Sequence, residues 1–220
     1  DYEAIAADFL KTDIDVFIGG GRNHFVARKD KRNLVQELRK KGYQVMFSMD
    51  SIVNVKQGKL AGLTVPEHNP AMLQGRGDML PRASATAINI LSNNKKGFFL
   101  MIEGSQIDWG GHGNNGDYVA TEVIDLDQAI GKALEFAARD KNTLVIVTAD
   151  HETGGMAIAD GDYQKGTVSS KFSTTDHTGI MVPVFAWGPG AELFQGIQEN
   201  TELFKKMMFL LELDPDIVVQ

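Results

Sequence analysis

The sequence predicts an α/β fold with a largely parallel sheet flanked by helices on both faces. Short strands that are apolar throughout alternate with amphipathic helical stretches, and several of these strands run into glycines or into acidic residues and histidines. Strands without polar alternation are typical of a parallel sheet that helices cover on each side. A chain of 220 residues can form one sizeable core and is short for two domains, so we expect a single domain over residues 1–220.

Predicted helices and strands alternate along the chain. Apolar residues recur with helical spacing over residues 2–12, 30–41, 80–94, 117–139 and 200–212. Short apolar runs bounded by turn residues predict strands within residues 15–21, 43–49, 59–65, 97–104, 143–150 and 180–188. The sequence leaves open whether residues 211–220 form a last strand.

The composition excludes several classes of partner and site. The 22 Lys and Arg residues against 29 Asp and Glu give a net charge of −7 without a long basic run, so nucleic acid and anionic membranes are poor partners. The absence of cysteine excludes disulfides and thiolate metal sites, and it leaves the redox compartment open. No apolar run approaches the roughly 20 residues of a membrane helix. Any metal must therefore be bound by His, Asp and Glu.

Acidic residues and histidines cluster where predicted strands end. Glu103 follows the apolar run "FFLMI", and Asp150 and His151 follow "TLVIVTA". If these strands are parallel neighbours, their carboxyl ends lie at one edge of the sheet, where ligands bind in open α/β folds. A single carboxylate at a strand end more often caps a helix or forms a turn. The repeated coincidence favours a metal site.

The residue types in these clusters suit divalent cations. Asp108, His112 and His177 would give a zinc ion three protein ligands with one position open, as in catalytic zinc sites. The Asp-His pair of "TADH" supplies only two ligands for a second zinc, and the glutamate of "IEG" offers magnesium a single hard oxygen. Gly110 and Gly111 lie between Asp108 and His112, so a regular helical face there is doubtful.

Three motifs in a fixed order carry a resemblance to a known family. "MIEGSQIDWGGH", "VTADHETGG" and "TTDHTG" follow one another as in the C-terminal half of alkaline phosphatases. "IGGGRNHF" resembles a glycine-rich turn of that family, and "ASATAINILSNNKKGFFLMIEG" resembles the helix and strand before its metal cluster. The resemblance covers nearly the whole chain, and the combination of motifs is specific although each motif alone is not. It implies an alkaline-phosphatase-like fold.

The resemblance implies a phosphate monoester hydrolase with two zinc ions and one magnesium ion. Carried over by position, the implied ligands are Asp108, His112 and His177 for the first zinc, Asp150 and His151 for the second zinc, and Glu103 for magnesium. Trp109 is given only a tuning role near the phosphate. The family is commonly dimeric and exported, so a homodimer and a periplasmic or secreted location are the matching expectations.

The sequence departs from the family in lacking an N-terminal half. In relatives the nucleophilic serine, an Asp that bridges zinc and magnesium, and a phosphate-binding Arg all lie upstream of this region. Ser51 and Ser84 follow the glycine-rich turn and are therefore out of order, so we interpret Ser51 as opening a helix or turn and Ser84 as a helix residue. No catalytic nucleophile is expected in this chain, and we expect it to be inactive alone and to need the missing half as a partner.

Two other functions stay open at this point. A phosphodiesterase or phosphomutase of the same metal-dependent superfamily would share the Asp-His pair, although Glu103 argues against both, because the resemblance ties that carboxylate to monoesterases. A non-catalytic α/β module that binds metal or another subunit is the alternative from a different class.

Overall fold

The computed structural model describes residues 1–213, and residues 214–220, which include most of the segment left open above, lie outside it. The α-helices of the described part are α1 (Tyr2–Asp8), α2 (Arg22–Val26), α3 (Leu34–Lys40), α4 (Met49–Ile52), α5 (Met79–Leu91), α6 (Gln106–His112), α7 (Gly116–Asp140) and α8 (Asn200–Leu210). The strands are β1 (Val16–Gly19), β2 (Gln44–Met46), β3 (Leu60–Leu63), β4 (Val145–Val147), β5 (Glu152–Thr153), β6 (Ala157–Asp162), β7 (Thr167–Lys171), β8 (His177–Thr178) and β9 (Phe185–Trp187). No helix among the described residues has the length and apolar character needed to cross a membrane.

The chain divides into two compact units, which are described separately. The first comprises Asp1–Gly104 and Thr121–Lys132, and the second comprises Ser105–Ala120 and the residues from Ala133 onward. The expectation of one domain over residues 1–220 stays a prediction.

A three-stranded parallel sheet lies at the centre of the first unit. Its strand order is β1-β3-β2, with Leu60 of β3 level with Val16 on one side and Gln44 on the other. The middle strand is buried along its whole length, as strands of a covered parallel sheet are. Glycine at position 62 of β3 leaves room for the Ile52 side chain of α4, because a Cβ there would lie 2.7 Å from Cδ1 of Ile52. The predicted α/β class with parallel strands is confirmed.

The second unit is built from antiparallel strand pairs and helices. β4 pairs with β9, β5 with β8, and β6 with β7, each antiparallel. The predicted strands of residues 143–150 and 180–188 therefore pair with each other in the antiparallel direction, in contrast to the largely parallel sheet that the sequence predicts. The sequence pattern does not predict the pairs β5–β8 and β6–β7. A two-residue strand such as β5 has no readable alternation, and β6 and β7 are mostly polar or small residues without an apolar run.

The long helices and most strands lie where the sequence predicts them, with one exception. Residues 98–104 belong to no helix or strand, so the strand predicted over 97–104 is wrong. An apolar run becomes a strand only when another segment pairs with it through backbone hydrogen bonds. No strand pair among the described residues includes this run. Phe99 and Met101 of this run are largely exposed.

Candidate metal centre

Helix α6 carries two of the predicted ligands one turn apart. Asp108 and His112 both lie in α6, so the doubt about a helix at the two glycines is wrong. The glycines serve close packing: a Cβ on Gly110 would lie 2.9 Å from the backbone nitrogen of Val119, and a Cβ on Gly111 would lie 2.7 Å from the carbonyl oxygen of Thr153. The absence of side chains lets α6 approach the start of α7 and strand β5, and this approach sets the position of its ligands.

The β5–β8 pair places His177 beside this helix. Thr153 is opposite His177 in the ladder, and Glu152 is opposite Thr178. The Glu152 carboxylate accepts hydrogen bonds from the backbone nitrogens of Gly155, at 3.0 Å, and Met156, at 3.2 Å, and from the Thr178 hydroxyl. Burial opposes the ionisation of Glu152, but these hydrogen bonds outweigh it and lower its pKa. An ionised Glu152 thus ties the strand of His177 to the turn that follows His151.

Three ligand atoms form a nearly regular triangle. His112 Nε2 lies 3.4 Å from Asp108 Oδ1, His177 Nε2 lies 3.5 Å from the same oxygen, and the two imidazole nitrogens are 3.2 Å apart. All three side chains are partly exposed, with 34% to 49% of their surface accessible. The triangle is therefore accessible to solvent.

The spacing of this triangle fits a tetrahedral metal. Metal–ligand distances of about 2.0–2.2 Å place neighbouring ligand atoms of a tetrahedral zinc about 3.3–3.6 Å apart. The three observed distances lie within about 0.1 Å of this range. Two imidazoles and one carboxylate are also the donors that zinc accepts when thiolate is absent.

The second nitrogen of His112 is occupied by the backbone. Nδ1 of His112 lies 2.5 Å from the carbonyl oxygen of Thr175, which can only accept, so Nδ1 carries the proton. The lone pair of His112 is then at Nε2, the atom that faces Asp108 and His177. Metal-bound histidines usually have such a hydrogen bond on the other nitrogen, because it fixes the tautomer and the ring orientation.

His151 and Asp150 adjoin the triangle. His151 Nε2 lies 3.3 Å from Asp150 Oδ2, and the His151 ring stacks on the His177 ring with centroids 3.6 Å apart. One ligand atom each from Asp108, His151 and His177 also lie within 4.8 Å of one another. Asp108 and His177 belong to both groups, which differ in whether His112 or His151 is the third member, and His112 Nε2 lies 3.2 Å from His177 Nε2.

The remaining predicted residues have different surroundings. Glu103 is exposed and belongs to the first unit, outside any helix or strand, so its magnesium role stays a prediction. Trp109 follows Asp108 in α6 and is 40% exposed. Ser84 lies inside α5 with its hydroxyl donating to the Leu80 carbonyl at 2.8 Å, as expected of a helix residue, and Ser51 lies in the short helix α4.

Three residues of the site were missed from the sequence. Glu152, Thr153 and Thr175 hold the ligands in place through hydrogen bonds without being candidate ligands themselves. Glu152 and Thr153 directly follow His151 in "TADHETGG", which was a usable signal, because the residue two places along a strand points to the same side. Thr175 acts through its backbone carbonyl, so no side-chain pattern could have identified it.

Comparison with known proteins identifies the relatives of this chain. The sequence model of the family described as "Alkaline phosphatase" matches residues 1–172 and 159–213. Alkaline phosphatase 4 of Bacillus subtilis is 33% identical, covering 87% of this chain and 56% of that protein, and the alkaline phosphatase of Escherichia coli is 30% identical, covering 96% and 55%. This chain thus spans about half the length of the curated relatives it matches.

A solved structure of an alkaline phosphatase has the same fold as this chain. The alkaline phosphatase from the Antarctic bacterium TAB5 superposes with a TM-score of 0.88 at 42% identity, covering 96% of this chain and 64% of that one. A mutant of the TAB5 enzyme is described with Mg bound in its M3 site. From the family match over most of its length and from this shared fold, the chain belongs to the alkaline phosphatase family.

Proposed function

We propose that this chain provides the principal metal ligands of a phosphate monoester hydrolase with two zinc ions and one magnesium ion. The observation that carries the proposal is the triangle of Asp108, His112 and His177, whose ligand atoms have the spacing of a tetrahedral zinc site. Asp150 and His151 would hold the second zinc and Glu103 the magnesium. The family's name and the magnesium described in the TAB5 mutant support this assignment.

The bound cations would supply charge stabilisation for the entering and leaving oxygens of an in-line displacement at phosphorus. The protein's part is to hold the ligands before the reaction starts, so that little reorganisation is needed. Asp108 contributes negative charge to the site, while the Thr175 carbonyl keeps the lone pair of His112 directed inward. Trp109, next to Asp108 on α6 and exposed, would have a tuning role near the phosphate.

By the family resemblance, the nucleophile would belong to a part of the relatives that this chain does not cover. We propose that a polypeptide equivalent to that part supplies the serine and the phosphate-binding arginine, and that the complete enzyme is a periplasmic or secreted homodimer acting on phosphate monoesters. The partial coverage of the curated relatives supports a further segment of this kind.

Zinc content per chain tests the assignment directly. After dialysis against trace zinc, about one zinc per chain should be retained, and His177→Ala should lose it, because a ligand of the triangle is removed. His24→Ala is the matched control, since His24 pairs with Glu67 at 3.0 Å in the first unit and is no part of the triangle. Retention by His177→Ala, or equal loss in His24→Ala, would contradict the proposal.

Variants of the other ligands sharpen this test. Asp108→Ala or His112→Ala should weaken zinc binding, whereas Asp150→Ala should do so much less, because the second site has only two ligands in this chain. Zinc affinity should also fall as the pH is lowered, since both imidazoles must give up protons to bind metal. Zinc binding that is independent of pH would indicate a different set of ligands.

A further inference from the structure

The Thr153 hydroxyl lies between the two predicted ligand sets. Thr153 Oγ1 is 2.5 Å from Asp108 Oδ1 and 3.2 Å from His151 Nδ1. Its position is fixed from two sides, because Thr153 pairs with His177 in the β5–β8 ladder and packs against Gly111 of α6. One side chain therefore contacts a predicted ligand of the first zinc and a predicted ligand of the second.

The available protons determine the direction of both hydrogen bonds. A hydroxyl has one proton, and an ionised carboxylate can only accept, so Thr153 donates to Asp108. Its oxygen can then only accept from His151, which requires the proton of the neutral imidazole to be on Nδ1. The lone pair of His151 is thereby directed through Nε2, 3.3 Å from Asp150 Oδ2. His151 Nε2 and an ionised Asp150 Oδ2 are then both acceptors with no proton between them, and a bound cation would remove their mutual repulsion.

We propose that Thr153 is a positioning residue shared by both metal sites, orienting the Asp108 carboxylate and setting the tautomer of His151. The metal part of this inference rests on the proposed function, while the tautomer does not depend on it. Loss of the hydroxyl would free the Asp108 carboxylate to rotate and would let His151 carry its proton on Nε2, where it competes with metal.

Two variants and one control separate this role from general packing. Thr153→Val keeps the shape without the hydroxyl, and Thr153→Ser keeps the hydroxyl without the methyl group. Thr143→Val removes a hydroxyl that donates to Asp140 at 2.7 Å on the exposed surface of the same unit, and is the control. Zinc affinity is measured by competition with a chelator, and the His151 tautomer by long-range ¹H–¹⁵N NMR of the metal-free protein.

The expected result is a loss of zinc affinity of about 10- to 100-fold in Thr153→Val, the range seen for residues that support metal ligands. Thr153→Ser should stay within about threefold of wild type, because it keeps the donor. The wild-type spectrum should show His151 protonated on Nδ1, and Thr153→Val should move the proton to Nε2 in part or in full.

A wild-type His151 protonated on Nε2 would overturn the inference, even if no variant folds. So would a Thr153→Val variant with unchanged tautomer and unchanged zinc affinity. If wild-type protein binds no zinc, the proposed function fails, and the tautomer spectra alone then decide whether Thr153 positions His151.

Discussion

Arg76 carries a charge that is buried, unlike that of a solvated arginine. Its guanidinium bridges two carboxylates of α7, donating to Asp125 at 2.9 Å and to Glu122, and all three side chains are at most 8% exposed. Glu122 also accepts from the backbone nitrogen of Met72 at 2.8 Å, while Asp125 Oδ1 has no partner in the described structure. Burial raises the pKa of Asp125, so its ionised form depends on Arg76.

Removing Arg76 should be far more costly than removing an exposed arginine. Arg76→Ala leaves two carboxylates buried without a counter-charge, and we expect a loss of about 3–5 kcal/mol in the free energy of unfolding. Arg82→Ala is the matched control, because Arg82 is 36% exposed and pairs with the exposed Asp50 at 3.1 Å, which predicts a loss of about 0–1 kcal/mol. Urea unfolding at neutral pH measures both variants.

The pH dependence of this loss has a definite sign. A buried carboxylate with a raised pKa favours the folded state at low pH and opposes it as the pH rises through its unfolded value. The penalty of Arg76→Ala should therefore shrink as the pH is lowered and the Asp125 carboxylate, whose pKa is raised, becomes protonated. Equal losses for the two arginine variants, or a penalty that grows in acid, would show that Arg76 does not neutralise these carboxylates.

At the scale of single elements, local sequence pattern succeeded where one element forms its own hydrogen bonds. The predicted helices appear in the structure within a few residues of their expected bounds, because a helix is paired internally. The run 97–104 failed as a strand, and β5 and β8 were missed, since a strand depends on a partner that lies elsewhere in the sequence. The doubt about a helix at the glycines of α6 was wrong for a similar reason. Glycine lowers helix propensity, but here it permits a tertiary contact that the local sequence does not reveal.

The close packing of α6 against β5 at Gly111 can be tested by substitution. Gly111→Ala would place a Cβ 2.7 Å from the Thr153 carbonyl oxygen and 2.9 Å from its Cβ, so α6 and β5 must separate. We expect a loss of about 1–3 kcal/mol in the free energy of unfolding, typical of overpacking. Zinc affinity should fall by about tenfold or more, because separation moves Asp108 and His112 away from His177.

Gly131→Ala is the control for helix propensity. Gly131 lies inside α7 with nothing within 4 Å of the position of a Cβ. The same substitution should there stabilise the protein by about 0.5–1 kcal/mol, because alanine favours the helix more than glycine does. If both variants changed stability alike and neither changed zinc binding, the close approach of α6 to β5 would not be what positions the ligands.

At the scale of the whole molecule, the sequence predicts which residues come together more accurately than it predicts how the strands pair. Asp108, His112, His151 and His177 come together in the second unit, although antiparallel pairs and a short helix bring them there instead of the carboxyl ends of parallel strands. The ligand residues can be predicted because their types and spacings lie within short stretches of sequence. The way in which they are brought together cannot, because it depends on the pairing of strands that are far apart in the sequence. The division of the chain also leaves Glu103 in a different unit from these four residues.

The chain alone is expected to have no phosphatase activity. A bound zinc can stabilise charge on a phosphate oxygen, but displacement at phosphorus also requires a nucleophile. Neither candidate serine of this chain is suited to that role. Ser84 is buried in α5 with its hydroxyl bound to the Leu80 carbonyl, and Ser51 shares a 3.0 Å hydrogen bond with Ser48 in the first turn of α4. We therefore expect no zinc-dependent hydrolysis of 4-nitrophenyl phosphate by the purified chain.

The control for that assay is the same chain with its metal site removed. Wild type and His177→Ala should hydrolyse the ester at the same background rate, with or without chelator, even when wild type retains zinc. Adding a segment equivalent to the part of the Bacillus subtilis relative that this chain leaves uncovered should restore turnover to wild type and not to His177→Ala, since the nucleophile then meets an intact metal site. Chelator-sensitive turnover by the chain alone, lost in His177→Ala, would mean that a nucleophile or an activated water is already present, and that the ligands described here suffice for catalysis.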